Sequence, residues 1–236
     1  MIRTRSILIT GTDTGVGKTI ICRYLAAYLQ SCGRNVITQK WVQTGCTEND
    51  DIREHHLTLS ASMDQITNLH ELRCPYALPF AASPHLAAKR HGVEIKATRI
   101  EEALMTLEKH FDMVLVEGSG GALVPLNEEM LMADMAAQLN MPALVVAVNK
   151  LGAINQTLLT LEALTARGIH VTGLIFNRVE NSVDQTILQD NIRIISQFAN
   201  VPVLGEMPFM TSPKEAEDGF VPIGKAFHRR WQEKSK

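Results

Sequence analysis

Short apolar runs alternate along the chain with longer stretches in which apolar residues recur every three or four positions. A short run without polar alternation is typical of a strand that is buried on both faces of a parallel sheet. Six runs have this character: Ser6–Thr10, Val36–Gln39, Met113–Val116, Ala143–Val148, Val171–Phe176 and Val203–Leu204. The pattern therefore predicts an α/β fold, in which a mostly parallel sheet is flanked by helices on both faces.

The longer stretches predict amphipathic helices. Ile21, Tyr24, Leu25 and Tyr28 recur at positions i, i+3, i+4 and i+7, which form one face of a helix that starts within the loop after the first strand. Further helices are predicted at about 97–110, 128–139, 154–167 and 184–198.

Two other stretches each allow two structural interpretations. Residues 74–85, CPYALPFAASPH, hold three prolines but are too apolar for a solvated linker, so we expect an ordered loop over the sheet edge. Near the C-terminus, Ile223, Phe227 and Trp231 form an apolar stripe with basic residues between them. Such a stripe suits either a membrane-surface helix or a terminal helix docked on its own domain, and its shortness favours docking.

Composition narrows the class of protein. The 236 residues, of which 45% are hydrophobic, fit a single domain spanning residues 1–236. A net charge of −2 gives no basic field for nucleic acid, and no run approaches the roughly 18 apolar residues of a membrane span. Four cysteines without C-x-x-C spacing indicate neither a zinc site nor a disulfide framework. We therefore expect a cytoplasmic protein without nucleic-acid or membrane partners.

The clearest chemical motif follows the first apolar run. GTDTGVGKT, residues 11–19, ends like a phosphate-binding loop but has five residues between Gly11 and Gly17, where the usual pattern has four. Glycines let backbone N–H groups approach an anion, Lys18 would neutralise the outer phosphates, and Thr19 would offer its hydroxyl to Mg²⁺. A tight turn that contains Gly-Lys-Thr by chance is the alternative, but the flanking strand and helix favour a nucleotide site.

Two further strand ends carry charged residues. Glu117 follows the third apolar run and precedes a glycine-rich stretch, and Lys40 follows the second run. Ligands bind at the carboxyl edge of such a sheet, so Glu117 is a candidate metal ligand and Lys40 a candidate for stabilising charge during phosphoryl transfer. Either residue could instead be an ordinary strand end, Glu117 before a flexible turn and Lys40 in solvent. Asp50 and Asp51 either form an exposed acidic cap or supply a second Mg²⁺ ligand.

Together these motifs resemble the dethiobiotin synthase family. Seven segments fall in the family's order and approximate spacing: GTDTGVGKT, QKWVQTG, SPHLAA, VLVEGSGGALVPL, KLGAINQTLLT, GLIFNRV and GEMPF. They span nearly the whole chain. The family's own phosphate loop has the form G-T-D-T-x-V-G-K-T, which accounts for the additional loop residue.

The resemblance implies a homodimeric α/β P-loop enzyme that joins CO₂ to 7,8-diaminononanoate and closes the ring of dethiobiotin. ATP and Mg²⁺ are the implied cofactors, and ADP and phosphate are the other products. One substrate amine forms a carbamate, the carbamate oxygen attacks the γ-phosphate to give a carbamic-phosphoric anhydride, and the second amine expels phosphate. Positioning and charge stabilisation supply most of the catalysis in such a scheme.

The resemblance also assigns residues by motif. Lys40, Lys18 and Thr14 match the catalytic residues, and the Mg²⁺ ligands match Thr19, Asp51 and Glu117. The substrate-binding positions are Thr44 and a helix start whose N–H groups suit the substrate carboxylate, Gly152, Ala153, Ile154 and Asn155. The nucleotide positions are Gly15, Val16, Gly17, Lys18, Thr19, Ile20, Asp51, Glu117, Gly118, Ser119, Gly120, Asn177, Arg178, Pro208, Phe209, Met210 and Glu215.

The chain departs from the family pattern in three places. Trp41 stands where proline commonly follows the lysine, Ser119 stands where alanine is frequent, and Gly15 has no side chain at a variable loop position. The main alternative is a partner-switching ATPase of the ParA or MinD type. Those proteins carry an additional lysine early in the loop, where residues 12–16 here are Thr-Asp-Thr-Gly-Val. A cobyrinate-type synthetase is also disfavoured, because we expect no room for its glutaminase domain.

Overall fold

The structure, a computed structural model, describes residues 5–45 and 69–234. These ranges contain eight strands and eight helices. The strands are β1 (Ser6–Gly11), β2 (Val36–Lys40), β3 (Val42–Thr44), β4 (Tyr76–Leu78), β5 (Met113–Gly121), β6 (Ala143–Val148), β7 (Val171–Asn177) and β8 (Val203–Met207). The helices are α1 (Lys18–Ser31), α2 (His70–Arg73), α3 (Pro84–Arg90), α4 (Ala97–His110), α5 (Met132–Gln138), α6 (Ala153–Thr165), α7 (Gln185–Phe198) and α8 (Pro213–Lys234).

Six strands form one parallel sheet in the order β2-β5-β1-β6-β7-β8. All six apolar runs of the sequence lie in this sheet, which confirms the predicted α/β fold. Every residue of β1, β6 and β7 is buried, as expected for strands covered on both faces. Because the strands are parallel, their carboxyl ends share one edge, with β2 and β5 on one side of β1 and β6, β7 and β8 on the other.

The helix predictions agree with the structure except at one start. α1 begins at Lys18, inside the loop as predicted, and α4, α6 and α7 begin and end within two residues of their predicted bounds. The helix predicted at 128–139 is observed as α5, which begins only at Met132. Before it, the Leu126 N–H donates to the Met130 carbonyl at 2.9 Å and closes a turn. This turn occupies residues that the apolar periodicity had placed in the helix.

The prediction of an ordered loop at residues 74–85 is wrong in part. Tyr76–Leu78 form β4, which pairs in parallel with β3 in a separate two-stranded sheet, and α3 begins at Pro84. An alternating pattern is present, since Tyr76 and Leu78 are buried and Ala77 is exposed. Three residues between two prolines are too few for periodicity to predict a strand.

The apolar stripe near the C-terminus docks on the protein itself. Ile223 and Phe227 are buried, and α8 packs on α1 and β8. The rings of Phe220 in α8 and Tyr24 in α1 stack with their centroids 6.0 Å apart. This burial confirms docking and contradicts a membrane-surface role for the stripe. Across the residues that the structure describes, no helix combines the length and apolarity that crossing a membrane requires.

Candidate active site

The loop between β1 and α1 is shaped by glycines in the left-handed region. Gly15 and Gly17 have φ values of 73° and 93°, which residues with a Cβ rarely adopt. A Cβ at Gly17 would also collide with Nδ2 of Asn177, so any other residue there would have to displace the Asn177 amide. Nδ2 of Asn177 donates to the Val16 carbonyl at 2.9 Å. The loop is therefore bound to the end of β7 as well as to β1.

Lys18 bends back over this loop. It is the first residue of α1, it is buried, and its Nζ donates to the Asp13 carbonyl at 2.9 Å. Its charge thus lies where the N-terminus of α1 and the N–H groups of the loop already favour an anion. This combination of a glycine-rich loop, a helix start and a lysine is suited to bind phosphate.

Glu117 connects three elements at the same edge. The register of β2 and β5 pairs Lys40 with Glu117, and Lys40 Nζ lies 2.7 Å from Glu117 Oε1. Thr19 Oγ1 in α1 donates to the same oxygen at 2.9 Å. The side chains of the ion pair are only 7% and 1% exposed, so each charge depends on the other in place of water. The carboxylate therefore fixes Lys40 and Thr19 relative to each other.

Two of the departures from the family pattern have structural contacts beside this pair. Trp41 is fully buried, and its Nε1 donates to Gln39 Oε1 at 3.2 Å. The indole therefore belongs to the core between β2 and β3. Ser119 donates from Oγ to the Val42 carbonyl, which ties the end of β5 to β3. The Ser119 contact holds β3 beside the cleft-side end of β5.

The charged side chains meet in a cleft of about 400 Å³ at the carboxyl edge of the sheet. Its lining consists of Thr14, Gly15, Gly17, Lys18, Thr19, Ile20, Lys40, Gln43, Thr44, Glu117, Ser119 and Gly120. All of these except Gln43 are residues that the sequence predicts. A larger groove, of about 750 Å³, lies between α6 and the end of α7, but it is mainly apolar and contains no predicted site residue. The smaller cleft is therefore the candidate site.

The oxygen atoms around Glu117 suit magnesium. The Thr19 hydroxyl and the Glu117 carboxylate are hard donors, and Mg²⁺ in nucleotide sites takes few protein oxygens, with water and phosphate oxygens completing its shell. Asp51, the third predicted ligand, lies outside the described residues. Within the described ranges no group of three or more His, Cys, Asp and Glu side chains is placed to hold a metal. The fit therefore rests on Thr19 and Glu117.

Amide side chains occupy the other half of the sheet's carboxyl edge, at the ends of β6, β7 and β8. Asn149, just after β6, donates from Nδ2 to the Leu188 carbonyl at 3.0 Å and to Glu206 Oε1 at 2.6 Å. Asn191 in α7 donates to Asn149 Oδ1 and to the Lys150 carbonyl, both at 2.9 Å. Sequence reasoning missed this amide network. The only signal was the position of Asn149 directly after a predicted strand, at the edge where ligands bind.

Several of the predicted nucleotide residues lie along this half. Oδ1 of Asn177 is buried and has no hydrogen-bond partner among the described residues. Arg178 Nε lies 3.1 Å from Glu206 Oε2, and its Nη2 donates to Gln185 Oε1 at 2.8 Å.

The predicted residues after β8 are at least partly exposed: Pro208, Phe209 and Met210. Two predicted loop and strand residues are buried behind the cleft instead of lining it, Val16 and Gly118.

Two predicted groups lie away from the cleft lining. Glu215, in the first turn of α8, accepts from the Thr211 hydroxyl at 2.6 Å and from the Thr211 N–H at 3.1 Å. The hydrogen bonds from Thr211 lower the pKa of the Glu215 carboxyl, which joins the start of the helix to the residues before it. The predicted carboxylate receptor, Gly152–Asn155, begins α6, and Gly152 has a φ of 88°. None of its four residues lines the 400 Å³ cleft.

Comparisons with known proteins identify relatives and a shared fold. The family described as AAA domain matches residues 5–216. The ATP-dependent dethiobiotin synthetase BioD of Chlorobaculum tepidum is 39% identical over 217 residues, which cover 90% of each chain. BioD 2 of Haemophilus influenzae is 42% identical over 172 residues, 72% of this chain and 90% of the relative. A ParA family ATPase from Chlorobium tepidum matches with a TM-score of 0.57 over 98% of this chain and 99% of its own, but 12% identity shows the fold alone.

Proposed function

Because the chain belongs to the ATP-dependent dethiobiotin synthetase family, we propose that it makes dethiobiotin for biotin biosynthesis from 7,8-diaminononanoate, CO₂ and Mg-ATP. One observation carries this proposal: Lys18, Lys40, Thr19 and Glu117 converge in one cleft beside a phosphate loop. A ligase that activates its substrate with ATP must hold the γ-phosphate and a nucleophile side by side. The proposed catalytic domain covers residues 1–236.

Nucleotide binding divides between the two halves of the sheet edge. The loop N–H groups, the N-terminus of α1 and Lys18 would bind the phosphates. Asn177 fits the base, because it contacts the loop at Val16 and its buried Oδ1 is an acceptor for an exocyclic amine. The other proposed base-side residues are Arg178, Pro208, Phe209, Met210 and Glu215.

Charge stabilisation would take place at the half of the sheet edge formed by β2 and β5. Mg²⁺, for which Thr19, Glu117 and Asp51 are the proposed ligands, supplies neutralisation of phosphate charge when bound. Lys40 is held by Glu117 and lines the cleft, so it would stabilise charge developing on the transferred phosphoryl group. A charge in a site shielded from water acts more strongly than the same charge in solvent. Lys40 is therefore the principal proposed catalytic residue, with Lys18 beside it.

The proposed reaction conserves atoms in three steps. A neutral amine adds to CO₂ and loses a proton, which gives a carbamate. A carbamate oxygen then bonds to the γ-phosphorus as ADP leaves. The second amine attacks the carbamate carbon and loses a proton as phosphate leaves with that oxygen. Thr14 and Thr44 line the cleft, and their hydroxyls would hold the carbamate and the amine for these attacks.

The substrate carboxylate needs a receptor outside this cleft. Gly152–Asn155 lie at the start of α6, where the Ala153 N–H donates to the Lys150 carbonyl at 3.1 Å. The positive end of a helix dipole suits an anion, but these residues do not line the cleft of their own chain. We therefore include a homodimer in the proposal, because a second copy can bring its own helix start to the carboxylate end of the diamine.

A product assay tests the function. Purified protein with 7,8-diaminononanoate, bicarbonate and Mg-ATP should yield dethiobiotin and an equal amount of ADP, as measured by mass spectrometry. Leaving out the diamine should abolish ADP release, since phosphoryl transfer needs the carbamate. Absence of dethiobiotin at saturating substrates, together with ADP release that DNA or lipid stimulates, would overturn the proposal in favour of a partner-switching ATPase.

A further inference from the structure

Gln43 is the one residue of the cleft lining without an assigned role. It lies in β3 between Lys40 and Thr44 and is 8% exposed. In the part of the chain that the structure describes, its buried Oε1 has no hydrogen-bond partner. Its Nε2 donates to the Thr44 carbonyl at a long distance of 3.4 Å. Packing rather than hydrogen bonding therefore holds this amide.

Gln39 provides a comparison within the same segment. Its Nε2 donates to the Leu72 carbonyl at 2.8 Å, and its Oε1 accepts from Trp41 Nε1 at 3.2 Å. Both ends of this buried amide are thus satisfied by the protein. A buried polar group that the fold leaves unsatisfied costs stability, so its retention at a cleft calls for an explanation such as a ligand. Gln43 meets that description and Gln39 does not.

We propose that Gln43 is a substrate-binding residue whose amide oxygen accepts a hydrogen bond from an amine N–H of the diamine. This inference rests on the proposed function, since it takes the diamine as the ligand. Rotation of the Gln43 amide breaks no hydrogen bond shorter than 3.4 Å, so Oε1 is able to turn towards a bound amine.

The charges of the cleft explain why a neutral acceptor belongs there. Lys18 and Lys40 offer donors, and Glu117 Oε1 already accepts from Lys40 and Thr19. An amine reacts only in its neutral form, and a carboxylate beside it would favour the unreactive ammonium ion. The Gln43 amide oxygen binds an N–H without adding charge, and it keeps the amine nucleophilic next to two lysines.

The same substitution at the two glutamines tests the role. Gln43→Met and Gln39→Met each replace the amide by a flexible apolar chain of similar length. Binding of 7,8-diaminononanoate is measured by calorimetry in the presence of a non-hydrolysable ATP analogue, and steady-state KM and kcat and the thermal midpoint are measured alongside. We expect Gln43→Met to raise the Kd and KM for the diamine about tenfold, with ATP affinity unchanged and the thermal midpoint equal or higher. Gln39→Met should lower the thermal midpoint and leave diamine affinity unchanged.

The outcomes separate this inference from the function itself. If wild-type protein makes dethiobiotin but Gln43→Met binds the diamine as tightly as wild type, the role of Gln43 is wrong and the function stands. If wild-type protein makes no dethiobiotin, both are wrong. Gln43→Leu gives a second variant with the same expectation in case the methionine protein does not fold. An equal weakening of ATP and diamine binding would indicate a general disturbance of the cleft and would also refute the inference.

Discussion

The two halves of one sheet edge hold their polar side chains in different ways. On the side of β2 and β5, Lys40 and Thr19 share a single carboxylate oxygen of Glu117 inside a buried cleft. On the side of β6 and β7, Asn149 and Asn191 bind each other and nearby backbone carbonyls. The first half buries its ion pair, whereas the second leaves the Arg178–Glu206 pair partly exposed and uses amides to fix the path of the chain.

This difference implies a division of labour. Buried charges act on groups whose charge changes in a reaction, and their loss leaves a partner charge uncompensated. Amides bonded to backbone carbonyls position loops, and the loss of Asn191 takes a donor only from neutral groups. Substitutions in the charged half should therefore change turnover, and they should also change stability where they leave one charge of the ion pair alone. Substitutions in the amide half should change stability or affinity and leave turnover nearly unchanged.

Glu117→Gln should cause the largest loss of stability. Lys40 would then lose its carboxylate partner inside the cleft, and we expect the free energy of unfolding to fall by about 3 kcal/mol in urea denaturation without nucleotide. The double variant Lys40→Gln with Glu117→Gln removes both charges and should recover to within about 1 kcal/mol of wild type. A double variant that is less stable than Glu117→Gln alone would refute the dependence of the two charges on each other.

Lys40→Gln should separate turnover from binding. Loss of a charge that acts on the transition state is expected to lower kcat by roughly 100-fold to 1,000-fold, while the affinity for ATP changes little. Steady-state kinetics and nucleotide titration measure the two quantities. Lys225→Gln, on the exposed side of α8, serves as the control and should leave both unchanged. Equal losses in turnover and ATP affinity would assign Lys40 to ordinary ATP binding.

Asn191→Leu should lower the stability of the protein by disrupting the Asn149–Asn191 hydrogen bonds, while turnover is retained. It removes the Asn191 donor from Asn149 Oδ1 and one of two donors from the Lys150 carbonyl, which still accepts from the Ala153 N–H, and we expect the free energy of unfolding to fall by about 2 kcal/mol. Turnover at saturating substrates should stay within about threefold of wild type, since no charge is lost. Gln189→Leu, an exposed change on the same helix, should alter stability by less than about 0.5 kcal/mol. A large fall in kcat for Asn191→Leu would contradict the division between the halves.

Gly17→Ala should disturb the contact between the phosphate loop and Asn177 at the end of β7, which joins the two halves of the edge. The added Cβ would collide with Asn177 Nδ2, so we expect ATP affinity to fall about tenfold or more in nucleotide titration. Gly15→Ala has a similar left-handed φ but no heavy atom within 4 Å of its Cβ. It should therefore cost only the backbone strain, about 1 kcal/mol in unfolding, with a smaller change in affinity. Equal effects on affinity would show that the Asn177 contact does not matter.

The sequence predicted the charged half better than the amide half. Lys18, Lys40 and Glu117 each stand directly after an apolar run or inside a known loop pattern, so their strands alone bring them to one edge. The contact of Asn149 with Asn191 joins residues 42 positions apart through the packing of α7, which no local pattern encodes. Short β4 was missed for a related reason, because its pairing with β3 rather than its own length makes it a strand.

The central claim is that a carbamate attacks the γ-phosphate in this cleft. The most direct test traces an oxygen atom from CO₂ into the released phosphate. Wild-type protein is mixed with 7,8-diaminononanoate, Mg-ATP and freshly dissolved CO₂ that carries ¹⁸O at both oxygens, and the released phosphate is examined by mass spectrometry after a short reaction. If the carbamate attacks the γ-phosphate in the cleft of Lys18, Lys40 and Glu117, each phosphate formed with dethiobiotin should contain one ¹⁸O atom. Phosphate without ¹⁸O from CO₂ would mean that water attacks ATP, and it would contradict this function for the site.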